Sequence, residues 1–490
     1  MLEQVSNWED AKQSWKQYRR FSKRPNKIGS NDEDEDRVLI GTRVAEGHQN
    51  YTLMYNMLTG IRVSVSRCSA KPMKSLSTED FIASNKLAFD VHITLLTLLR
   101  FFSTGNELVP SSKYDFKFKD YAPNVFRQIR TIFGIDPAEY LMSLTHKYIV
   151  SELFSPGKSK SFFYYSRDYR FIIKTVHHVE HRFMRKILPD YFKYIQENPD
   201  TLLTRIYGLH RVKVAYSRKI HFVVMANIFP PNKDIHESYD LKGSTLGRKV
   251  DESIFLRNPI IPMKDLNWME KDRRFHFGPQ KRNIFLEQLE KDAKLLKTLK
   301  IMDYSLLVGI HFKDRGNQDG IRDRSLSIFQ PDLNKVLQGG QEKGTELANM
   351  VRRTIAVSDP VALSGKSLKG IPNEAVFYRD SGGFSSSDEN DMDGDIIYYF
   401  GIIDILTPYN YAKKVEHYWK SMSQDKNAIS AVHPKVYANR FVNFISDSAI
   451  QKVWESCESS SNSPKPESKQ IRQRRLTLKN QRRKSHYSKN

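Results

Sequence analysis

Ile396-Ile397-Tyr398-Tyr399-Phe400-Gly401-Ile402-Ile403-Asp404 is the stretch on which the reading of this chain turns. Its apolar part is β-branched and aromatic apart from Gly401, which predicts a strand. Asp404 closes the run, and an acid at that point can reach a metal ion. Just beyond it, Tyr411-Ala412-Lys413-Lys414-Val415-Glu416-His417-Tyr418-Trp419-Lys420 is basic and aromatic, in the manner of a segment that touches a membrane. Together the two predict metal-dependent chemistry performed on a surface.

Three stretches nearer the N-terminus carry residues that suit such chemistry. In Met302-Asp303-Tyr304-Ser305-Leu306-Leu307-Val308-Gly309-Ile310-His311, Asp303 opens an apolar run. It is a candidate base or metal ligand, or else a cap on a turn. Phe171-Ile172-Ile173-Lys174-Thr175-Val176 puts Lys174 inside an apolar strand, where an unpaired charge is costly. Glu180, on the helix expected to follow, is a partner for it. A strand lysine paired with a helix glutamate and bound to nucleotide phosphates is the arrangement kinases use; an edge-strand lysine facing water fits equally well. Tyr239-Asp240-Leu241-Lys242-Gly243-Ser244-Thr245-Leu246-Gly247-Arg248 mixes acid, base, glycine and hydroxyl, as a phosphate contact or a solvated loop would. Ser155-Pro156-Gly157-Lys158-Ser159-Lys160-Ser161 is a turn whose backbone N–H groups can cover phosphates, although most such turns are plain hairpins. It lacks P-loop spacing.

The coarse pattern is α+β. Ala83 to Phe102 reads as a helix, and Tyr121 to Thr145 as further helices. Ser161 to Ser166 and Arg170 to Val176 read as strands joined by a turn at Arg167-Asp168. Ile220 to Phe229 is a strand stopped by Pro230-Pro231. Lys281 to Leu299 is the clearest helix, with an apolar stripe of Phe285, Leu289, Ala293, Leu296 and Leu299 and the stabilising pairs Glu287–Lys291 and Glu290–Lys294.

The 490 residues are 39% hydrophobic and 27% charged, with a net charge of +22. That balance supports a substantial core and an anionic partner: nucleic acid, an anionic membrane or a phosphorylated substrate. Cys68 and Cys457 alone exclude a disulfide framework and a cysteine zinc module, and predict an intracellular protein. Met1-Leu2-Glu3-Gln4 lacks a basic region followed by an apolar stretch, so no secretory signal is expected. Val91 to Phe102 is too short to span a bilayer and contains Arg100, so membrane contact is expected to be peripheral.

The quoted motifs resemble those of the phosphatidylinositol phosphate kinases, most closely the fungal type I phosphatidylinositol-4-phosphate 5-kinases. Phe171–Thr175, Tyr239–Thr245, Ile301–Leu307 and Ile402–Asp404 occur in the family's order. The resemblance implies a two-lobed lipid-kinase fold distantly related to protein kinases, with antiparallel sheets and packed helices. It implies a kinase domain at 38–312 and 395–447, while polar composition predicts an N-terminal disordered segment at 1–37, a disordered insert at 313–394 and a basic disordered tail at 448–490. It further implies that Lys174 binds ATP phosphates, that Asp303 takes the catalytic-loop position, and that Asp404 holds Mg²⁺. Asn227 and Phe229 fall in the nucleotide-binding hinge. Gly157 and Ser159 lie in the phosphate loop, and Asp240 and Lys242 in the family signature.

Two departures stand out. Lys160 occupies the second glycine of the family's phosphate loop. Val308 stands where protein kinases carry a metal-binding asparagine, which favours a lipid kinase.

Val415, Tyr418, Trp419 and Met422 share one helical face, with Lys413, Lys414, His417 and Lys420 mostly elsewhere; the alternative is a core helix with a basic outer face. By resemblance, Lys413-Lys414 engages anionic lipid, and Glu416 marks the type I class. The implied substrate is phosphatidylinositol 4-phosphate in anionic membranes, phosphorylated by ATP at the inositol 5-hydroxyl. A type II or type III specificity and a non-catalytic phosphoinositide-binding scaffold are the alternatives. The implied location is cytoplasmic, on the inner face of the plasma membrane, with a homodimer and a nuclear pool left open. Nucleic-acid binding rests on charge alone and is not expected. The stretch from Lys469 to Asn490, with nine Lys/Arg and no acid, reads as a membrane tether or a nuclear signal.

Overall fold

The computed structural model describes residues 41–44, 46–91, 107–110, 113–145, 150–154, 161–214, 218–257, 261–317, 382–409 and 432–449. Its strands, in chain order, are β1 (Thr42–Val44), β2 (Ser84–Asp90), β3 (Glu107–Pro110), β4 (Phe116–Tyr121), β5 (Val150–Phe154), β6 (Phe162–Tyr165), β7 (Phe171–Val176), β8 (Ile206–Val214), β9 (Ile220–Ala226), β10 (Glu237–Leu241), β11 (Met263–Lys264), β12 (Ser305–Phe312), β13 (Phe384–Ser387) and β14 (Asp393–Ile403). The helices are α1 (Tyr51–Ser69), α2 (Thr78–Ile82), α3 (Pro123–Ile132), α4 (Pro137–Thr145), α5 (His178–Glu197), α6 (Glu252–Arg257), α7 (Asp265–Glu270), α8 (Pro279–Thr298) and α9 (Pro434–Asn443).

Two sheets organise these elements. The larger runs β1-β5-β6-β7-β9-β8-β4-β2-β3, antiparallel except between β2 and β3. The smaller runs β11-β10-β12-β14-β13, antiparallel except between β10 and β11. The α+β, mainly antiparallel expectation therefore holds.

Local chemistry explains the elements that matter most. The β6–β7 hairpin closes on Asp168, whose carboxylate accepts the Ser166 hydroxyl at 2.7 Å and the Arg170 guanidinium at 2.8 Å. Helix α5 starts with a capping box in which Glu180 accepts the His177 N–H at 2.6 Å. Helix α8 starts at Pro279, and Asp391 accepts the Gln280 N–H at 3.1 Å. The expected stripe of α8 is buried at Phe285, Leu289, Ala293 and Leu296. Phe285 joins Phe275, Phe277, Phe384 and Phe400 in an aromatic cluster that fixes α8 on the smaller sheet.

The structure corrects two expectations. Ser84–Asp90 is a strand, not the start of a helix over Ala83 to Phe102; residues 92–106 lie outside those described. Leu87 and Phe89 are buried while Lys86 is exposed, the period-two pattern of a sheet with one face on the core. Further on, β13 and the first residues of β14 lie inside the stretch 313–394 assigned to an insert. Phe384 to Ser387 are buried against β14, because an aromatic anchor and hydroxyls that accept the Gly278 and Ile396 N–H groups suffice to continue a sheet despite the polar composition.

Candidate active site

Asp303 and Asp404 arrive at one end of the smaller sheet through strand register. Ser305 faces Ile403 across β12 and β14. Asp303 lies two residues before the first, and Asp404 one residue after the second. Beyond them the chains pair again, at Ile301 and Pro408, with the Met302 N–H on the Thr407 carbonyl at 3.1 Å. From Ser305 back to Ile301 is four steps, whereas from Ile403 on to Pro408 is five, so one chain carries an extra residue. The irregularity falls at the two acids, and both are left-handed, Asp303 at φ 63° and Asp404 at φ 61°. Non-glycine residues in that region cost energy and gather at functional sites.

Lys174 reaches this end from the larger sheet. It sits on β7 between Phe163 of β6 and Val223 of β9, and its ammonium lies 2.6 Å from the Asp404 carboxylate. Burial works against the Lys174 charge, but Asp404, and then the charge of Glu180, outweigh it and raise the amine above its ordinary value. Withdrawal from water likewise opposes the charge on Asp404, yet Lys174 and, less strongly, Lys242 hold its carboxyl below the usual range. The partner that sequence assigned to Lys174 was Glu180. The direct bond goes instead to Asp404, and Glu180 spends a carboxylate oxygen capping α5.

The segment between α5 and β8 ties the two sheets together. Leu203 bridges Ile402 in parallel; the Ile402 N–H donates to the Leu202 carbonyl at 2.7 Å, and the Thr204 N–H and hydroxyl donate to the Ile402 carbonyl at 2.9 and 2.7 Å. Downstream of β9, Asn227 donates to the Tyr169 carbonyl at 2.8 Å and accepts the Phe229 N–H at 3.2 Å. Ile228 and Phe229 then seat on bare backbone. A Cβ on Gly401 would lie 2.2 Å from the Ile228 side chain, and one on Gly309 2.6 Å from the Phe229 ring. Asn227 and Phe229 therefore belong to a connection docked on the smaller sheet, beside the strands that carry the two acids.

Asp240 and Lys242 stand at the end of β10. The Asp240 carboxylate accepts Arg248 at 2.8 Å, and Arg248 donates a second bond to the fully buried Asp265 at 2.6 Å. Asp265 also accepts the Lys242 and Gly243 N–H groups at 2.8 and 2.7 Å. Gly243 is left-handed at φ 70°, and a Cβ there would lie 2.9 Å from Phe444. Asp240 thus shapes the loop, while the Lys242 side chain adds positive potential at Asp404. On the other flank, Tyr437 donates to the Tyr304 carbonyl, next to Asp303. Burial and then the Asp303 charge keep that phenol protonated.

This end of the smaller sheet brings together a cation, two acids and an adjoining basic loop, which is an arrangement able to grip phosphate and to orient a hydroxyl. Part of the Asp404 carboxylate stays open to solvent, and Mg²⁺ is commonly held by one or two such groups together with substrate phosphates and water. Among the described residues no cluster of three metal-binding side chains occurs. Gly157, Ser159, Lys413, Lys414, Glu416 and Trp419, with Lys160, lie outside the described residues. Sequence reasoning missed Thr204, Asp265 and Tyr437.

Residues 144–448, which include all of these site residues, match the family described as phosphatidylinositol-4-phosphate 5-kinase. The chain belongs to that family. Among its relatives, phosphatidylinositol 4-phosphate 5-kinase its3 of Schizosaccharomyces pombe is 51% identical over 426 residues, covering 85% of this chain and 55% of its own. A probable phosphatidylinositol phosphate kinase of Dictyostelium discoideum is 36% identical over 455 residues, 88% of this chain and 62% of its own. Phosphatidylinositol 4-phosphate 5-kinase 1 of Arabidopsis thaliana is 36% identical over 426 residues, 84% and 54% respectively. The chain thus spans a little over half the length of these curated relatives. The resemblance read from four ordered motifs is borne out.

Proposed function

We propose that this chain is an ATP-dependent phosphatidylinositol-4-phosphate 5-kinase that makes phosphatidylinositol 4,5-bisphosphate at a membrane surface. The observation that carries the reading is the meeting of Lys174 with Asp404 at the strand end shared with Asp303. The names of the relatives from Schizosaccharomyces pombe and Arabidopsis thaliana support the choice of substrate.

In this reading Lys174 holds the nucleotide phosphates. Asp303 orients the inositol 5-hydroxyl and accepts its proton, and Asp404 is the metal-binding carboxylate. Mg²⁺, when bound there, would offset charge on the phosphate oxygens. Phosphoryl transfer asks for little covalent help, so alignment and electrostatics supply the rate. Asn227 and Phe229 lie on the nucleotide side of the site, with Gly157 and Ser159 on the phosphates. The two-sheet arrangement with its strand lysine supports a distant kinship with protein kinases.

Lys413, Lys414 and Trp419 engage an anionic membrane, with Glu416 selecting the headgroup. Lys242 adds its charge nearby, and the net charge of +22 favours such a surface. The protein is then peripheral on the cytoplasmic face of the plasma membrane.

The test is turnover on vesicles carrying each of the three phosphatidylinositol monophosphates, with the product regioisomer identified. A 4,5-bisphosphate product formed chiefly from the 4-phosphate is expected. ATP consumption absent on all three lipids would leave a non-catalytic scaffold, and an equal rate on the 5-phosphate would remove the assigned specificity. Glu416→Ala should shift the preference among the three lipids.

A further inference from the structure

Asp292 is a fully buried acid in the middle of α8, and among the described residues its hydrogen-bond partners include no cation. Its carboxylate accepts four bonds from neutral donors. The Tyr194 and Thr201 hydroxyls lie at 2.6 Å, the Leu202 N–H at 2.8 Å and the Gln288 amide at 3.0 Å. A buried carboxylate is expensive, and one satisfied by four neutral donors from three segments is a device for gathering those segments.

What it gathers is the strap that ends at the site. The Leu202 N–H goes to Asp292 and the Leu202 carbonyl goes to Ile402, so one peptide group on either side of Leu202 joins the acid to the end of β14. Thr204 completes the grip on Ile402, two residues before Asp404. Tyr191, one turn before Tyr194 on α5, donates to the Thr204 carbonyl at 3.2 Å and accepts the Ile206 N–H at 3.1 Å. The same strap is thereby fixed to the helix that follows the Lys174 strand.

We propose that Asp292 is a positioning residue for Asp404, holding the 201–204 strap in the register that places the Asp404 carboxylate against Lys174. This deepens the kinase reading and rests on Asp404 acting in phosphoryl transfer. The ionised form is the one that accepts all four bonds; protonation turns one oxygen into a donor facing donors. Burial raises the Asp292 carboxyl to about 6, with its hydrogen bonds from Thr201, Tyr194, Leu202 and Gln288 pulling the other way. The titratable groups that face it are Tyr194 and, less directly, Tyr191, both on α5 and both raised chiefly by burial. The strap presents Thr201 and Leu202, and α8 itself presents Gln288.

Asp292→Asn mimics the protonated acid, and the Tyr194 and Thr201 hydroxyls can turn to accept its amide. Two measurements on the full chain test the proposal. Hydrogen exchange without nucleotide or lipid should speed about tenfold in peptides covering 202–204 and 400–405, with β8 and β9 unchanged. Turnover at about pH 8 should fall by about 10- to 100-fold at an unchanged lipid KM, and wild type and variant should converge toward about pH 5.5. Thr201→Val, which removes one donor and keeps the acid, should move both readouts less and in the same direction, and it serves if Asp292→Asn does not fold. Faster exchange at 202–204 with none at 400–405, or a turnover ratio that does not change with pH, overturns the proposal. The exchange arm needs no chemistry. Failure of the kinase reading, seen as full turnover in Asp404→Ala, is therefore distinguishable from failure of the strap.

Discussion

Lys174 on the larger sheet and Asp404 just past β14 of the smaller hold each other at 2.6 Å. In the proposed reaction this pair would be exchanged for a lysine–phosphate contact and a carboxylate–metal contact. Asp404→Ala is therefore expected to lower turnover about a thousandfold while leaving metal-free ATP binding, read by titration in chelator, at least as tight as in wild type. The pair should not titrate in the working range. The Asp404 carboxyl is depressed on folding, so its contribution is present above about pH 3.9 and is lost as pH falls through the folded value. The Lys174 amine is raised, so its contribution is complete below about pH 10.4 and is lost as pH rises through the folded value. The stability difference between wild type and Lys174→Met should be flat from about pH 5 to about pH 9 in chemical denaturation.

Gly401 lies beneath Ile228. Gly401→Val should cost about 1–3 kcal/mol, because the added side chain meets the Ile228 side chain at 2.2 Å. Ile228→Ala in the same chain should recover much of that loss in thermal unfolding. A Gly401→Val protein as stable as wild type would mean that the connection after β9 does not bear on the smaller sheet.

Arg248 serves two acids at once. Arg248→Ala would leave buried Asp265 without its ionic partner and should destabilise the fold by about 3–5 kcal/mol in urea. Arg248→Lys should rescue little, because one ammonium cannot reproduce the fork that spans Asp240 and Asp265.

Asp292 predicts an opposite sign of pH dependence from Asp404. Its carboxyl is raised on folding, so the folded protein binds that proton more tightly than the unfolded chain does. The ionised acid costs stability above about pH 6, and the cost fades as pH falls toward about 4. The span corresponds to about 3 kcal/mol. Measured against wild type, Asp292→Asn should gain relative stability as the solution is taken from about pH 4 to about pH 8.

Sequence pattern singled out residues that the fold brings together, but not how they pair. The β6–β7 hairpin, helix α8 and strand β14 were legible because each carries a clean period or a sharp turn. Lys174, Asp303 and Asp404 stood out as charges set in apolar runs. The pairing of Lys174 was not legible, because its partner is 230 residues away and the nearer Glu180 was the obvious choice. Strand β2 was misread because the apolar run from Val91 to Phe102 masked the alternation of Leu87 and Phe89. Asp292 left a usable trace: it falls three residues after Leu289 and four before Leu296, on the buried stripe of α8, where an acid has no business unless it is held. Asp265 left none, since a short helix after a two-residue strand has too little pattern to show which face is covered.

The tie between Thr204 and Ile402 joins residues 198 apart in sequence. Every strand of the larger sheet has been made once Ala226 has left the ribosome, long before β14 exists. A nascent chain can therefore assemble its larger sheet early, yet the strap has nothing to grip until synthesis passes Pro408. Closing so long a loop is slow. The meeting of the two sheets is then a late acquisition of this polypeptide, and a chain that stops short of Asp404 would carry every strand of the larger sheet without the Lys174–Asp404 pair.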